Sequence, residues 1–171
     1  FGASVDFAEH RGYVPGDDIR RVDWRLYART DRYYIKEYEA DSNSNFVVLL
    51  DVSSSMAFGE RISKLDYART LGACLTYLVH KQRDRVGLVT FDTDVVDRVP
   101  PSAKHLDVVL HTLERAKATR PGYLSAPLKK LAEHFGRRGV VVLISDLYDE
   151  PEAIFEALAP IRFRGSDVVV F

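Results

Sequence analysis

Apolar residues fall into two kinds of pattern along this chain: short continuous runs, and stripes repeating every three or four positions. Phe46-Val47-Val48-Leu49-Leu50, Val86-Gly87-Leu88-Val89 and Gly139 to Ile144 are continuous runs that read as strands buried on both faces. Leu65, Ala68, Leu71, Leu75 and Leu78 form a stripe that predicts a helix over Ser63 to Gln82. Leu106, Val109, Leu110 and Leu113 predict a second helix, with Ser102 as a candidate cap. Leu128, Leu131, Ala132 and Phe135 predict a third over Ser125 to Phe135. A fourth begins near Pro151, a residue favoured at a first helical position. Asp167 to Phe171 is a last strand. Asp92-Thr93-Asp94 reads as a hairpin turn, with Val95 to Val99 returning antiparallel until Pro100-Pro101 ends it. Alternating strands and helices imply an α/β fold: a mainly parallel, Rossmann-like central sheet with helices on both faces and one antiparallel edge strand.

The first 45 residues break this rhythm. They are dense in charge and aromatics, as in Arg20-Arg21-Val22-Asp23-Trp24-Arg25, and Tyr33 to Glu39 alternates like a strand. Pro15-Gly16-Asp17-Asp18 reads as a turn. The expected organisation is a charged, aromatic segment over 1–45 packed on an α/β domain over 46–171. Within the segment, Arg20, Asp23, Arg25 and Arg29 are read as pairing residues and Trp24 as a packing anchor.

Composition narrows the function. A net charge of -1 gives no electrostatic case for nucleic acid or an anionic membrane as partner. The single cysteine, Cys74, excludes an internal disulfide and a cysteine-rich zinc site, and reads as a small core residue. No run approaches the roughly 18 apolar residues of a membrane span. The chain opens on Phe1 and stops on a strand, so it reads as a fragment of a longer protein, truncated at its C-terminus.

The candidate chemistry follows the first buried run. Asp51-Val52-Ser53-Ser54-Ser55 places three hard oxygens in one turn at the carboxyl end of a strand, where open α/β sheets bind ligands. Asp146 ends the Val142-Leu143-Ile144-Ser145 strand in the same way. A purely structural alternative stays open, with Asp51 as a helix cap and the two serines satisfying nearby amides. The five histidines, His10, His80, His105, His111 and His134, show no metal-ligand spacing.

Asp51 to Ser55 resembles the first motif of the von Willebrand factor type A domain, Asp-x-Ser-x-Ser, which opens a metal-ion-dependent adhesion site. The resemblance implies direct ligands at Ser53 and Ser55, with Asp51 and Asp146 binding Mg²⁺ or Mn²⁺ directly or through water. It also implies a loop Thr, and here Tyr123 stands near its place. Thr119 and Ser125 are the available substitutes. Further upstream, Tyr13-Val14-Pro15-Gly16-Asp17-Asp18-Ile19-Arg20-Arg21-Val22-Asp23-Trp24 is similar to the signature of the bacterial family called domain of unknown function 58, which precedes a von Willebrand type A-like domain. The adhesion-type site implies recognition of a partner that offers a carboxylate, with no reaction required, and the second resemblance implies work beside a MoxR-type AAA+ ATPase in assembly or chaperone-like work. It implies a cytoplasmic setting, with any membrane tether outside this chain. Two alternatives remain. One is a metal-dependent hydrolase using the Asp51 loop, although Ser53 stands where a second acid is needed. The other is a scaffold whose metal site has degenerated.

Overall fold

Strands that are apolar on both sides must be covered on both sides, and the computed structural model, which describes residues 5–40, 44–132 and 138–171, is built that way. The chain divides into two compact units, Phe1–Ser42 and Asn43–Phe171.

The first unit pairs β1 (Val5–Gly12) antiparallel with β2 (Tyr34–Ala40), and α1 (Trp24–Thr30) lies between them in sequence. Val22 and Ile35 are its buried apolar side chains among the described residues. Asp17 accepts both terminal nitrogens of Arg11, at 3.1 and 2.9 Å, and the Val14 amide at 2.8 Å, which closes the Pro15-Gly16 turn. Asp23 caps α1 by accepting the amides of Arg25 and Leu26 through Oδ1. Its Oδ2 lies 3.0 Å from His10 Nε2 and 3.3 Å from Lys36 Nζ. Arg20 pairs with Asp18, so the hub of the charged segment is Asp23 with His10 and Lys36. Trp24 does not anchor packing. It is 58% exposed and meets Tyr27 edge-on, and Tyr27 stacks on Tyr33 at 4.5 Å.

The hydrogen bond with His10, then the Leu26 amide, Lys36 and the Arg25 amide, hold the Asp23 carboxyl well below the usual carboxylate range against its desolvation. A carboxyl depressed on folding contributes stability that is complete above its unfolded value, about 4, and is lost as pH falls toward the folded one. We therefore expect the Arg25 and Leu26 amides to lose protection, relative to their intrinsic exchange rates, as pH drops below about 4. Asp23→Asn should exchange faster at neutral pH and lose that acid dependence. Amide exchange followed by NMR checks both.

In the second unit the strand order is β5 (Val95–Ser102), β4 (Arg85–Phe91), β3 (Asn45–Asp51), β6 (Gly139–Ile144), β7 (Asp167–Val170). All pairs are parallel except β4 with β5. Val48, Leu50, Val86, Leu88, Val142 and Ile144 face α2 (Lys64–Lys81) and α3 (Leu106–Arg115). The alternate residues Val47, Leu49, Val89, Phe91, Val141 and Leu143 face α4 (Ser125–Ala132) and α5 (Pro151–Phe163). Among the described residues no helix is long and apolar enough to cross a membrane.

Four sequence expectations change. β5 runs through Pro100 and Pro101 to Ser102; it is an edge strand, and a register irregularity opposite Gly87 accommodates both prolines. Ser102 does not cap α3. His105 holds the cap position, while Ser102 Oγ accepts the Lys104 amide in the preceding turn. In α2 the stripe holds at Leu65 and Ala68, which are buried, but not to its end. Ala68, Gly72 and Thr76, spaced by four, form the innermost row, and Leu78 is 59% exposed. Small side chains allow that close approach: a Cβ on Gly72 would sit 3.6 Å from Ile144. The same rotation leaves Cys74 exposed rather than in the core. Phe135 and His134 lie outside the described residues, as does the side chain of Ala132.

Candidate functional site

Parallel register brings three strand ends to one edge of the sheet. Asp51 pairs across from Phe91, and Leu50 from Ile144, so the residues that follow, Val52, Asp92 and Ser145-Asp146, emerge together. Asp51 is buried. Its Oδ1 accepts the Ser53 amide at 2.8 Å and its Oδ2 accepts the Ser145 hydroxyl at 2.6 Å, while Ser145 Oγ in turn accepts the Leu147 amide at 3.0 Å. Asp51 thus braces the ends of β3 and β6 together. Ser53 makes no capping bond to the 3-10 turn Ser54–Ala57 that it precedes.

The serine hydroxyls form a row instead. Ser53 Oγ lies 3.0 Å from Ser55 Oγ, and Ser55 Oγ donates to Asp146 Oδ1 at 3.2 Å. The other oxygen of Asp146 accepts Lys64 Nζ at 2.9 Å. A neighbouring loop is stitched alongside: Ser54 donates its amide to Arg120 O at 2.7 Å, and Ser53 bridges to Arg120 in parallel fashion. Arg120 Nε also reaches the buried Asp92 at 3.0 Å, and Asp92 Oδ1 accepts the Asp94 amide at 3.1 Å, shaping the hairpin turn. Gly122 is required here by space. A Cβ on it would lie 2.5 Å from Ser53 Cβ.

These elements bound a cleft of about 510 Å³, lined by Asp51, Ser53, Ser55, Tyr123, Asp146 and Tyr148 among others. Tyr123, Tyr148 and Phe58 stand around it at 63%, 86% and 73% exposure. Behind Asp146 and Lys64 opens a second, apolar groove of about 410 Å³, walled by Met56, Phe58, Ile62, Tyr67, Leu71 and Phe171.

The structure therefore brings Asp51, Ser53, Ser55 and Asp146 to one place. Thr119 is exposed and Ser125 opens α4, and neither lines the cleft. Asp92 shapes the hairpin turn as its sequence suggested, but its contact with Arg120, the bond from Ser145 to Asp51, and the places of Lys64 and Arg120 escaped the sequence reading. Asp92 had a visible signal, since it follows the β4 apolar run as Asp51 follows β3. Lys64 and Arg120 had none, because their places depend on chain crossings.

The donor set can be tested against a Mg²⁺-like ion. Mg²⁺ binds oxygens at about 2.0–2.1 Å in an octahedron, so neighbouring ligand oxygens stand about 3.0 Å apart. The successive spacings of 3.0 and 3.2 Å along Ser53, Ser55 and Asp146 suit adjacent ligands. All three donors are hard oxygens, and the residues fit such an ion. The set is poor in anions: among the described residues no group of three or more His, Cys, Asp or Glu is placed to hold a metal.

The family model described as "Protein of unknown function DUF58" matches residues 9–170. An uncharacterised protein of Mycobacterium tuberculosis is 32% identical over 153 residues, covering 85% of this chain and 48% of that protein. The chain thus spans about half the length of the curated relatives it matches first. Among solved structures, an aerotolerance-related membrane protein from Bacteroides fragilis superposes with a TM-score of 0.64 at 21% identity, covering 74% of this chain and 66% of that one. The von Willebrand factor domain of the type V pili tip protein Mfa5 from Porphyromonas gingivalis gives 0.53 at 18% identity, covering 60% and 37%. At these identities the likeness is one of fold, and the fold is that of von Willebrand factor type A domains.

Proposed function

The chain belongs to the DUF58 family, and from that premise we propose that its second unit is a protein-docking domain whose contact is centred on Ser53, Ser55 and Asp146. The observation that carries this reading is the hydroxyl–carboxylate row opening into a cleft with exposed aromatic residues around it. Mg²⁺ or Mn²⁺ bound at this row would supply an open coordination position for a partner's carboxylate. Ser53 and Ser55 are neutral donors, so they would leave most of the ion's charge for the partner. Asp51 holds the turn that presents them. Phe58, Tyr123 and Tyr148 offer the rigid amphipathic area that anchors interfaces. The family resemblance makes a MoxR-type AAA+ ATPase the first partner to test, which would place the domain on the cytoplasmic side.

Hydrolysis is the weaker reading on a specific ground. Asp51 is buried with both oxygens engaged in bracing β3 and β6, and Ser53 stands where a second acid is needed.

The test is thermal. At metal about 100 times its Kd, binding adds about 2.7 kcal/mol, a Tm rise of roughly 5–10 °C for a chain of this size. Asp51→Ala should abolish the rise by releasing the Ser53 turn. No rise with Mg²⁺ or Mn²⁺ raised to tens of millimolar, beyond that of Asp51→Ala at the same ionic strength, overturns the metal. Capture of the ATPase that is indifferent to Asp51→Ala and to chelator overturns the metal-centred contact. A phosphatase activity lost in Asp51→Asn overturns docking as the primary role.

A further inference from the structure

We infer that Lys64 is a tethered cation that competes with a divalent ion for Asp146, and so sets how tightly the site binds metal. This rests on the metal reading of the Ser53, Ser55 and Asp146 row. Asp146 is a carboxylate with two different faces. Oδ1 accepts the hydroxyl of Ser55 at 3.2 Å, within the candidate donor row, and Oδ2 accepts the ammonium of Lys64 at 2.9 Å. The pair is unevenly buried, with the Lys64 side chain 45% exposed and that of Asp146 12% exposed. The carboxylate is fixed within the fold, and the lysine reaches it from solvent.

Lys64 is the first residue of α2, at the positive end of the helix dipole, where an ammonium is disfavoured and carboxylates are preferred. The Asp146 carboxylate offsets that disadvantage with a charge-assisted hydrogen bond. In that same position Lys64 Nζ lies 5.9 Å from the centre of the exposed Phe58 ring, within cation–π range. An ammonium and a divalent ion on the two oxygens of one carboxylate repel at short range. Binding at the donor row is therefore opposed by Lys64 on Oδ2 and favours its departure toward open solvent, which its flexible stem can reach.

Two consequences follow. The site lacks the loop hydroxyl that its resemblance implies, having Tyr123 near that place, and it also carries an internal competitor, so unassisted metal binding is weak. Lys64 and Asp146 also line the apolar groove behind the cleft, so departure of Lys64 alters the groove wall as the donor row fills. Lys64 is a positioning residue in this scheme, since its effect passes through Asp146.

The experiment is titration of Mn²⁺ into the protein, read by electron paramagnetic resonance, with thermal melts in chelator as the folding control. Lys64→Met should bind Mn²⁺ ~10-fold or more tighter than the native chain, equivalent to about 1.4 kcal/mol. Lys64→Gln should do the same, and Lys64→Arg, which keeps the charge, should stay near native affinity. Unchanged or weaker binding in both neutral variants, with measurable native binding, overturns the competitor role and leaves the metal reading standing. Absence of Mn²⁺ binding in the native chain and in every variant overturns the metal reading and this inference with it. Tighter binding in Lys64→Arg as well as Lys64→Met would assign the effect to packing and overturn a charge competition.

Discussion

Replacing Phe91 with alanine should remove about 3–5 kcal/mol of stability. Phe91 ends β4 at 1% exposure and packs in the cluster formed by Leu49, Val89, Leu143, Leu128 and Ile161 beneath α4 and α5. It also pairs across from Asp51, and Phe91 O accepts the Val52 amide at 2.8 Å. The substitution removes a large ring from a layer whose sheet and helices cannot close independently. Against the 5–15 kcal/mol typical of a folded domain, this is a large share. Urea unfolding followed by circular dichroism should show a lower midpoint at similar slope. A loss below about 1 kcal/mol would mean that the layer collapses around the void.

Gly122→Ala is the second large effect, and it acts at the site. The added methyl would stand 2.5 Å from Ser53 Cβ and 3.2 Å from the Asp92 carbonyl carbon, contacts that only displacement can relieve. Overpacking of this kind costs about 1–3 kcal/mol. The loop should give way first, because it is held beside Ser53 by the Ser54 amide to Arg120 O bond and by the Arg120 pairing with Asp92. The Ser54 amide should then exchange faster than in the native chain, while amides in the centre of β3 keep their protection. Uniform loss of protection across β3 would show that the strain is transmitted into the sheet instead.

What the sequence made legible follows from how local the cause is. The three apolar runs stand as β3, β4 and β6, because a strand buried on both faces admits few polar residues. Asp51, Ser53, Ser55 and Asp146 were readable because each lies within a few residues of the end of such a run. The inward face of α2 was less legible. The stripe placed Leu65 and Ala68 correctly, but further along the helix hydrophobicity favoured Leu75 and Leu78, whereas close packing selected Gly72 and Thr76. Thr76 Oγ1 is even buried without a hydrogen-bond partner, so no rule of polarity would have placed it there. β1 and the aromatic chain of the first unit were hidden too, since pairing with β2 defines the one and the fold of α1 over Tyr33 the other. Lys64 belongs in the same class: a lysine at a helix start looks like an ordinary solvated residue until Asp146, 82 positions later, is folded against it.

The strand order carries a consequence for synthesis. β3 lies between β4, which follows it closely, and β6, which pairs Val48 with Val142 after most of the domain has been made. While the ribosome is still producing α3 and α4, β3 therefore presents one unpaired edge of Phe46, Val47, Val48, Leu49 and Leu50. Such an edge is a template for pairing with any other extended chain. The nascent protein passes through an interval in which a strand buried on both faces is half-finished sheet, and the arrival of Gly139 to Ile144 at the tunnel exit ends it.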